Sequence, residues 1–198
     1  NSGGSGILSL VKEGAAKLTL SSSEHGLITG SITVNAGELQ YGNNNDLTNP
    51  GWSSITIAEG ATFSHYQTDN NFAFAPELKG AGTFRLRASG IDAYEQSTIA
   101  ITRSNAAFAG SIIVEAGARL GIRHATALGT ASVEVQNGGQ AYIEVGTGVV
   151  GNNVSIAGVG WREYAGRLGA IRMNSGTLAG AVTLTANADI CANTGQSG

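Results

Sequence analysis

Carboxylates are the side chains of this 198-residue chain that could catalyse a reaction, because glycoside hydrolysis needs two carboxyl groups that face each other. The ten glutamates and four aspartates are mostly isolated. Glu134 and Glu144 come nearest to a pair, since they flank the turn glycines Gly138 and Gly139. Arg123 precedes Glu144 by the same interval as the repeat described below. We therefore predict a surface ion pair between Arg123 and Glu144 rather than an active site.

Histidine and cysteine give no sign of a metal or nucleophile site. His25, His65 and His124 are far apart, and none has a partner at a metal-ligand spacing of about two or four residues. We expect each histidine in a turn or at the surface. Cys191 is the only cysteine, and no base or cation nearby would activate it, so a small packed residue is expected. We predict no catalytic, cofactor-binding or metal-ligating residue, no cofactor, and no enzymatic activity.

Two groups of residues leave ligand binding open. The run from Asn43 to Asp46 offers oxygen atoms to calcium, although its turn-forming composition favours a solvated loop over residues 42–50. Trp52, Trp161 and Tyr164 could stack on sugar rings, but aromatic residues at corners more often cover a core.

Composition restricts the class of protein. The formal net charge is −3 and the eleven lysines and arginines are scattered, so a nucleic-acid surface is not expected. Glycine accounts for 30 residues and charged residues for 13%. No apolar run reaches the length of a membrane helix, which is about 18 residues. Aliphatic residues at alternating spacing, separated by many glycines, predict an all-β chain.

A short strand followed by glycine recurs along the chain. Residues 30–37 (G-S-I-T-V-N-A-G) and 110–117 (G-S-I-I-V-E-A-G) share six of eight positions. Aligning the copies on their first inward residue gives one column of Ile32, Ile55, Ile112, Val133 and Val154. The structural repeat is carried by turn glycines and alternating apolar residues: Gly30, Ile32, Val34, Gly37, Gly80, Gly82, Gly110, Ile112, Val114, Gly117, Val133, Val135 and Val154.

Shifting the sequence by one repeat interval aligns residues of the same type. The shift places Val133 on Ile112, Ile143 on Ile122, and Gly138 on Gly117. Matching residues in the same chain direction indicate stacked parallel strands rather than hairpins. We predict a right-handed single-stranded parallel β-helix, or β-solenoid, of roughly eight or nine coils. Residues 1–198 are expected to form one repeat domain cut from a longer array, because residues 193–198 echo residues 1–6.

The repeat also carries a family likeness. The run from Val11 to Leu20, followed by Gly30 to Leu39, resembles the autotransporter-associated β-strand repeat, also called the passenger-associated transport repeat. Residues 78–86 followed by 105–120 form a similar second copy, while Ala16 stands where the family has a second glycine. The resemblance implies a segment of an exported passenger of a Gram-negative autotransporter. In that family the repeat belongs to a β-helical stalk associated with efficient secretion.

From this resemblance we expect a stalk segment, secreted or at the cell surface, whose partners are flanking repeats and a β-barrel translocator. Weak end-to-end self-association is expected near residues 8–10 and 183–185, because solenoid ends need caps. The alternative is a polysaccharide-binding or polysaccharide-processing β-helix, in which carbohydrate is the ligand.

Overall fold

The computed structural model describes residues 7–21, 28–45, 51–92, 94 and 97–193, and these form an all-β structure without helix. The described strands are β1 (Leu10–Lys12), β2 (Lys17–Leu20), β3 (Ser31–Val34), β4 (Glu38–Asn45), β5 (Ser54–Ile57), β6 (Thr62–Gln67), β7 (Phe72–Phe74), β8 (Glu77–Gly80), β9 (Thr83–Arg87), β10 (Thr98–Ile101), β11 (Ser111–Val114), β12 (Arg119–Ile122), β13 (Ser132–Val135), β14 (Gln140–Val150), β15 (Val154–Gly158), β16 (Arg162–Glu163), β17 (Gly166–Arg167), β18 (Ile171–Leu178), β19 (Val182–Ala188) and β20 (Ile190–Ala192).

Three parallel sheets form the sides of a β-solenoid. Sheet A contains β1, β3, β5 and β8. Sheet B contains β2, β4, β6, β9, β11, β13, β15 and β19, and sheet C contains β7, β10, β12, β14, β18 and β20. Sheet B runs through the whole stack, so its eight strands define coils 1–8 in chain order. The predicted β-solenoid fold is confirmed, with about eight turns.

The register of sheet B follows the predicted ladder in its C-terminal half. Ile112 pairs with Val133, and Val133 pairs with Val154. On sheet C, Ile122 pairs with Ile143. Two inward columns of sheet B run through all eight coils: Leu18, Leu39, Phe63, Phe84, Ile112, Val133, Val154 and Val182, and beside them Leu20, Tyr41, His65, Leu86, Val114, Val135, Ile156 and Leu184.

The prediction of a single column through Ile32, Ile55 and Ile112 is wrong. Ile32 pairs with Ile55 on sheet A, whereas Ile112 stacks on Phe84 in sheet B. The two similar octapeptides therefore lie on different sides of the solenoid. The reason is that a glycine-bounded strand with alternating apolar residues fits any side, because each side needs an inward face and a corner.

Sheet A ends at β8, and turns continue this side of the solenoid. Gly80 forms a single parallel bridge with Phe108. Beyond it, buried amide side chains join the turns: Asn105 accepts from the Leu78 amide at 2.8 Å and donates to the Ala127 carbonyl at 2.6 Å. Asn152 donates to the Ala131 carbonyl at 2.8 Å. These side-chain bonds satisfy buried backbone groups where strand pairing stops.

The core is one cluster of buried side chains inside the coils. Its aromatic members all lie between residues 41 and 108, and its later members are aliphatic. Among the described residues there is no helix that could cross a lipid bilayer.

Candidate functional site

The corner between sheets B and C carries a long loop in two coils of the part of the chain that the structure describes. In coils 5 and 6 this corner takes four residues, 115–118 and 136–139. In coil 4 it takes residues 88–97, and in coil 7 it takes residues 159–170, which include the β16–β17 hairpin. Insertions on one side of a solenoid often mark its binding face. We call these two loops together the clasp.

The clasp loops meet across the two coils that separate them. Tyr94 and Arg162 form a parallel bridge, and the Arg162 guanidinium lies 5.8 Å from the centre of the Tyr94 ring. Arg167 donates to the Ile91 carbonyl at 2.8 Å and pairs with Asp92 at 3.5 Å. The contact is therefore made by charged and aromatic side chains and by backbone hydrogen bonds.

Glycine is required at the corners under the clasp. Gly117 has a φ of 83°, and a Cβ there would lie 2.0 Å from the Gly90 carbonyl oxygen. Gly138 has a φ of 88°, and its Cβ would lie 2.4 Å from the Ile91 side chain. The Gly117 amide also donates to the Gly138 carbonyl at 2.9 Å, so the predicted stacking of these glycines is confirmed.

An arginine is held between two rings beneath the coil-7 loop. The Arg119 guanidinium lies 4.3 Å from the centre of the Tyr142 ring and 4.6 Å from that of Trp161, whose indole donates to the Gly117 carbonyl at 2.9 Å. Burial lowers the pKa of Arg119 and raises the pKa of Tyr142. Arg119 remains a cation, because arginine does not lose its proton in proteins, and each ring adds cation–π attraction.

An ion pair lies beside this stack. Arg172 pairs with Glu163 of the coil-7 loop and lies 5.4 Å from the centre of the Tyr142 ring. Two buried atoms have no hydrogen-bond partner: Nε of Arg119, which is a donor, and Oε1 of Glu163, which is an acceptor.

The predicted ion pair between Arg123 and Glu144 is confirmed at 3.0 Å, and it belongs to a longer polar ladder on the outside of sheet C. Arg123 also donates to Asn71 at 3.2 Å, and Asn174 donates to Glu144 at 3.0 Å. Asn193 continues the ladder by donating to Asn174 at 2.7 Å. The ladder joins side chains from coils 3 to 8.

Glu134 and Glu144 are not brought together. Glu134 lies on β13 of sheet B and accepts from Gln136 at 3.0 Å, whereas Glu144 lies on β14 of sheet C. The described residues contain no group of three or more His, Cys, Asp or Glu side chains that could hold a metal ion.

Histidine and cysteine follow the expectations only in part. His124 lies exposed in a turn, as predicted, but the surface position predicted for His65 is wrong, because its side chain is buried inside coil 3. The alternation of β6 causes this, since His65 follows inward Phe63 by two residues. His25 lies outside the described residues. Cys191 is half-buried on β20 opposite Arg172, and it lies outside the core cluster.

The structure also gives different outcomes for the predicted loop and for the three aromatic residues. Residues 43–45 continue strand β4, so the loop predicted from Gly42 begins later, and Asp46 lies outside the described residues. Trp52 and Trp161 are buried, as expected for aromatic residues that cover a core, whereas Tyr164 is exposed at the tip of the coil-7 hairpin.

Sequence reasoning missed Tyr94, Arg119 and Arg162 as members of a site. A signal exists in the spacing of the sheet B column. The steps from Ile112 to Val133 and on to Val154 are equal, but those from Phe84 to Ile112 and from Val154 to Val182 are longer by a third. These two long circuits carry the two clasp loops.

Comparisons with known proteins gave no relative. No protein-family model matches the chain. No curated protein and no solved structure matches it either.

Proposed function

We propose that this chain is a structural segment of a β-helical stalk in an exported autotransporter passenger, secreted or held at the cell surface. One observation carries the proposal: both terminal coils leave core columns open to solvent. Leu18 in coil 1 is 38% exposed and Leu184 in coil 8 is 58% exposed, whereas Leu39 and Ile156, their register partners, are fully buried.

The last described coil exposes apolar surface. Coil 8 leaves an open apolar cavity of about 360 Å³ between β18, β19 and β20, lined by residues such as Met173, Leu178 and Ile190. A further coil in the same register would cover this surface as coils cover one another inside the molecule. Flanking repeats of a longer chain are therefore the partners that this end favours, and a β-barrel translocator is the partner implied by the resemblance.

A stalk role makes export depend on the stacked core. We expect the chain, fused between a secretion signal and an outer-membrane translocator barrel in a Gram-negative host, to be displayed on the cell surface. Val133→Asp should strongly reduce display, because it places a charge in the middle of the sheet B ladder, where Val133 is buried. Glu134→Asp, on the outward side of the same strand, is the matched control.

Flow cytometry with an antibody against an N-terminal tag measures the surface density. The proposal predicts a loss for Val133→Asp and wild-type display for Glu134→Asp. Equal display of all three chains would contradict it, because export would then not depend on the folded solenoid.

Carbohydrate binding is the second candidate function, and the clasp is the observation that favours it. Tyr164 is 90% exposed and Tyr94 is 45% exposed. Arg162, two residues before Tyr164, is exposed as well. Exposed aromatic rings beside hydrogen-bonding groups can hold an amphipathic ligand such as a sugar.

Titration calorimetry with dextran and with polygalacturonate tests this second candidate. Binding that is lost in Tyr164→Ala and kept in Val149→Ala, which removes an exposed apolar side chain outside the clasp, would support it. Absence of binding to both polysaccharides would leave the stalk role alone.

A further inference from the structure

His65 occupies a core position that favours the neutral form of its imidazole. It continues the inward column of sheet B between Tyr41 of coil 2 and Leu86 of coil 4, and its side chain is 1% exposed. Neither Nδ1 nor Nε2 has a hydrogen-bond partner. A buried polar group without a partner is rare, so this ring marks a weak point in an otherwise apolar column.

The groups packed against His65 supply no counter-charge. The Phe72 ring centre lies 4.6 Å away, that of Tyr41 5.4 Å, and that of Phe74 6.1 Å. Tyr41 on β4 is the titratable group among them, and burial raises the pKa of its phenol to about 12, so it stays neutral in acid. The β7 contacts are phenylalanines, and the β9 register neighbour is Leu86. A protonated imidazole would therefore be a buried charge without a counter-charge.

We propose that His65 is an acid-operated trigger whose protonation detaches coils 1–3 from the rest of the stack while coils 5–8 stay folded. The separation follows from the architecture, because the strands of sheet B pair only with those of adjacent coils, so stability is set locally. The exposed hydrogen bond between Asn71 of coil 3 and Arg123 of coil 5 is a side-chain contact that opening would break. The register partners of His65 lie in coils 2 and 4. Opening from the N-terminal end exposes the ring without disturbing the C-terminal coils.

The direction of the pH effect follows from the two protonation equilibria. Burial lowers the pKa of His65 to about 3, from an ordinary value of 6.5. The folded form is therefore fully favoured above pH 6.5, and this advantage is lost as the pH falls from 6.5 toward 3. Between pH 7 and pH 5 the equilibrium constant for opening should rise about 25-fold, since only the open form binds the proton in this range.

Amide hydrogen exchange of the whole chain at pH 7 and pH 5, corrected for intrinsic exchange rates, tests the trigger. Protection in β4 and β6 should fall about 25-fold in the acid sample, while protection in β12 and β13 should change little. His65→Phe keeps an aromatic ring in the column and should remove the fall. His124→Gln changes an exposed histidine of the C-terminal half and should retain it.

Equal protection of β6 at the two pH values in the wild type would overturn the proposal. A fall of the same size in His65→Phe would also overturn it, because the acid effect would then come from other groups. Should His65→Phe fail to fold, the imidazole ¹⁵N shifts of the wild type decide the question. They must remain those of a neutral ring in folded molecules at pH 5, and a charged ring in folded molecules would contradict the trigger.

Discussion

The two halves of the solenoid share one continuous sheet but fill it differently. In coils 2–4 the core combines aliphatic residues with aromatic rings, and Phe84 lies 5.8 Å from Phe63 and 5.1 Å from Phe74 between ring centres. In coils 5–7 the same inward positions hold smaller side chains such as Ile112 and Val133, and alanines fill the corners. Sheet A borders the first half, whereas turns joined by buried asparagines border the second.

This difference shows that the backbone ladder and the core contents are separable. Phe84 and Ile112 are direct register partners across the boundary, and the parallel pairing passes through them without a break. What changes at the boundary is the third side of the coil, which sheet A forms in the first half. The turn at Phe108 stacks on β8, the last strand of sheet A. The size of the core side chains and the structure of the third side of the coil change together, while sheet B continues unchanged.

The largest expected effect comes from removing a ring on the aromatic side of the boundary. Phe84→Ala should lower the free energy of unfolding by about 3–5 kcal/mol, because the cavity would lie between rings that cannot collapse into it. Chemical denaturation measures the change. A loss below about 1 kcal/mol would mean that the aromatic half is not close-packed.

A medium effect is expected where the clasp crosses the aliphatic half. Gly117→Ala introduces strain at positive φ, about 1–2 kcal/mol, and adds a collision with the Gly90 carbonyl under the clasp. Gly60→Ala is the control, because Gly60 has a similar φ of 78° but no atom within 4 Å of its added Cβ. Thermal unfolding of both variants should show the larger loss for Gly117→Ala. Equal losses would show that the clasp does not press on this corner.

The smallest effect is expected from trimming the aliphatic side of the same boundary. Ile112→Val removes one methylene from the register partner of Phe84 and should cost about 0.5–1.5 kcal/mol. Urea denaturation checks this value. A cost as large as that of Phe84→Ala would remove the distinction between the two cores.

The sequence was most informative where the repeat interval and the residue types agree. Ile112, Val133 and Val154 follow one another at equal intervals, and Arg123 precedes Glu144 by the same interval, so both the ladder and the ion pair could be predicted. The sheet to which each strand belongs could not be predicted, because the strands at Ile32 and Ile112 show the same alternation but lie on different sheets. A local pattern encodes an inward face and a corner, and position around the coil depends on every loop before it.

The clasp could be located from the sequence only as two unusually long intervals. Its contacts join residues far apart in the chain, such as Ile91 and Arg167, and neither loop carries a periodic pattern. Burial of His65 was accessible in principle from the alternation of β6, but histidine has no fixed preference for the core and its three positions share no spacing.

The central claim, that one sheet runs through eight stacked coils, can be measured as a distance between spin labels. Thr19 and Thr183 lie on one outward column of sheet B, and seven register steps separate them. With Cys191→Ser removing the native thiol, labels at these two sites should be about 34 Å apart, from seven steps of about 4.8 Å. Labels at Thr19 and Glu134, five steps apart, should be about 10 Å closer. Double electron–electron resonance that returned similar distances for the two pairs, or a separation below about 20 Å for Thr19 and Thr183, would contradict the continuous stack.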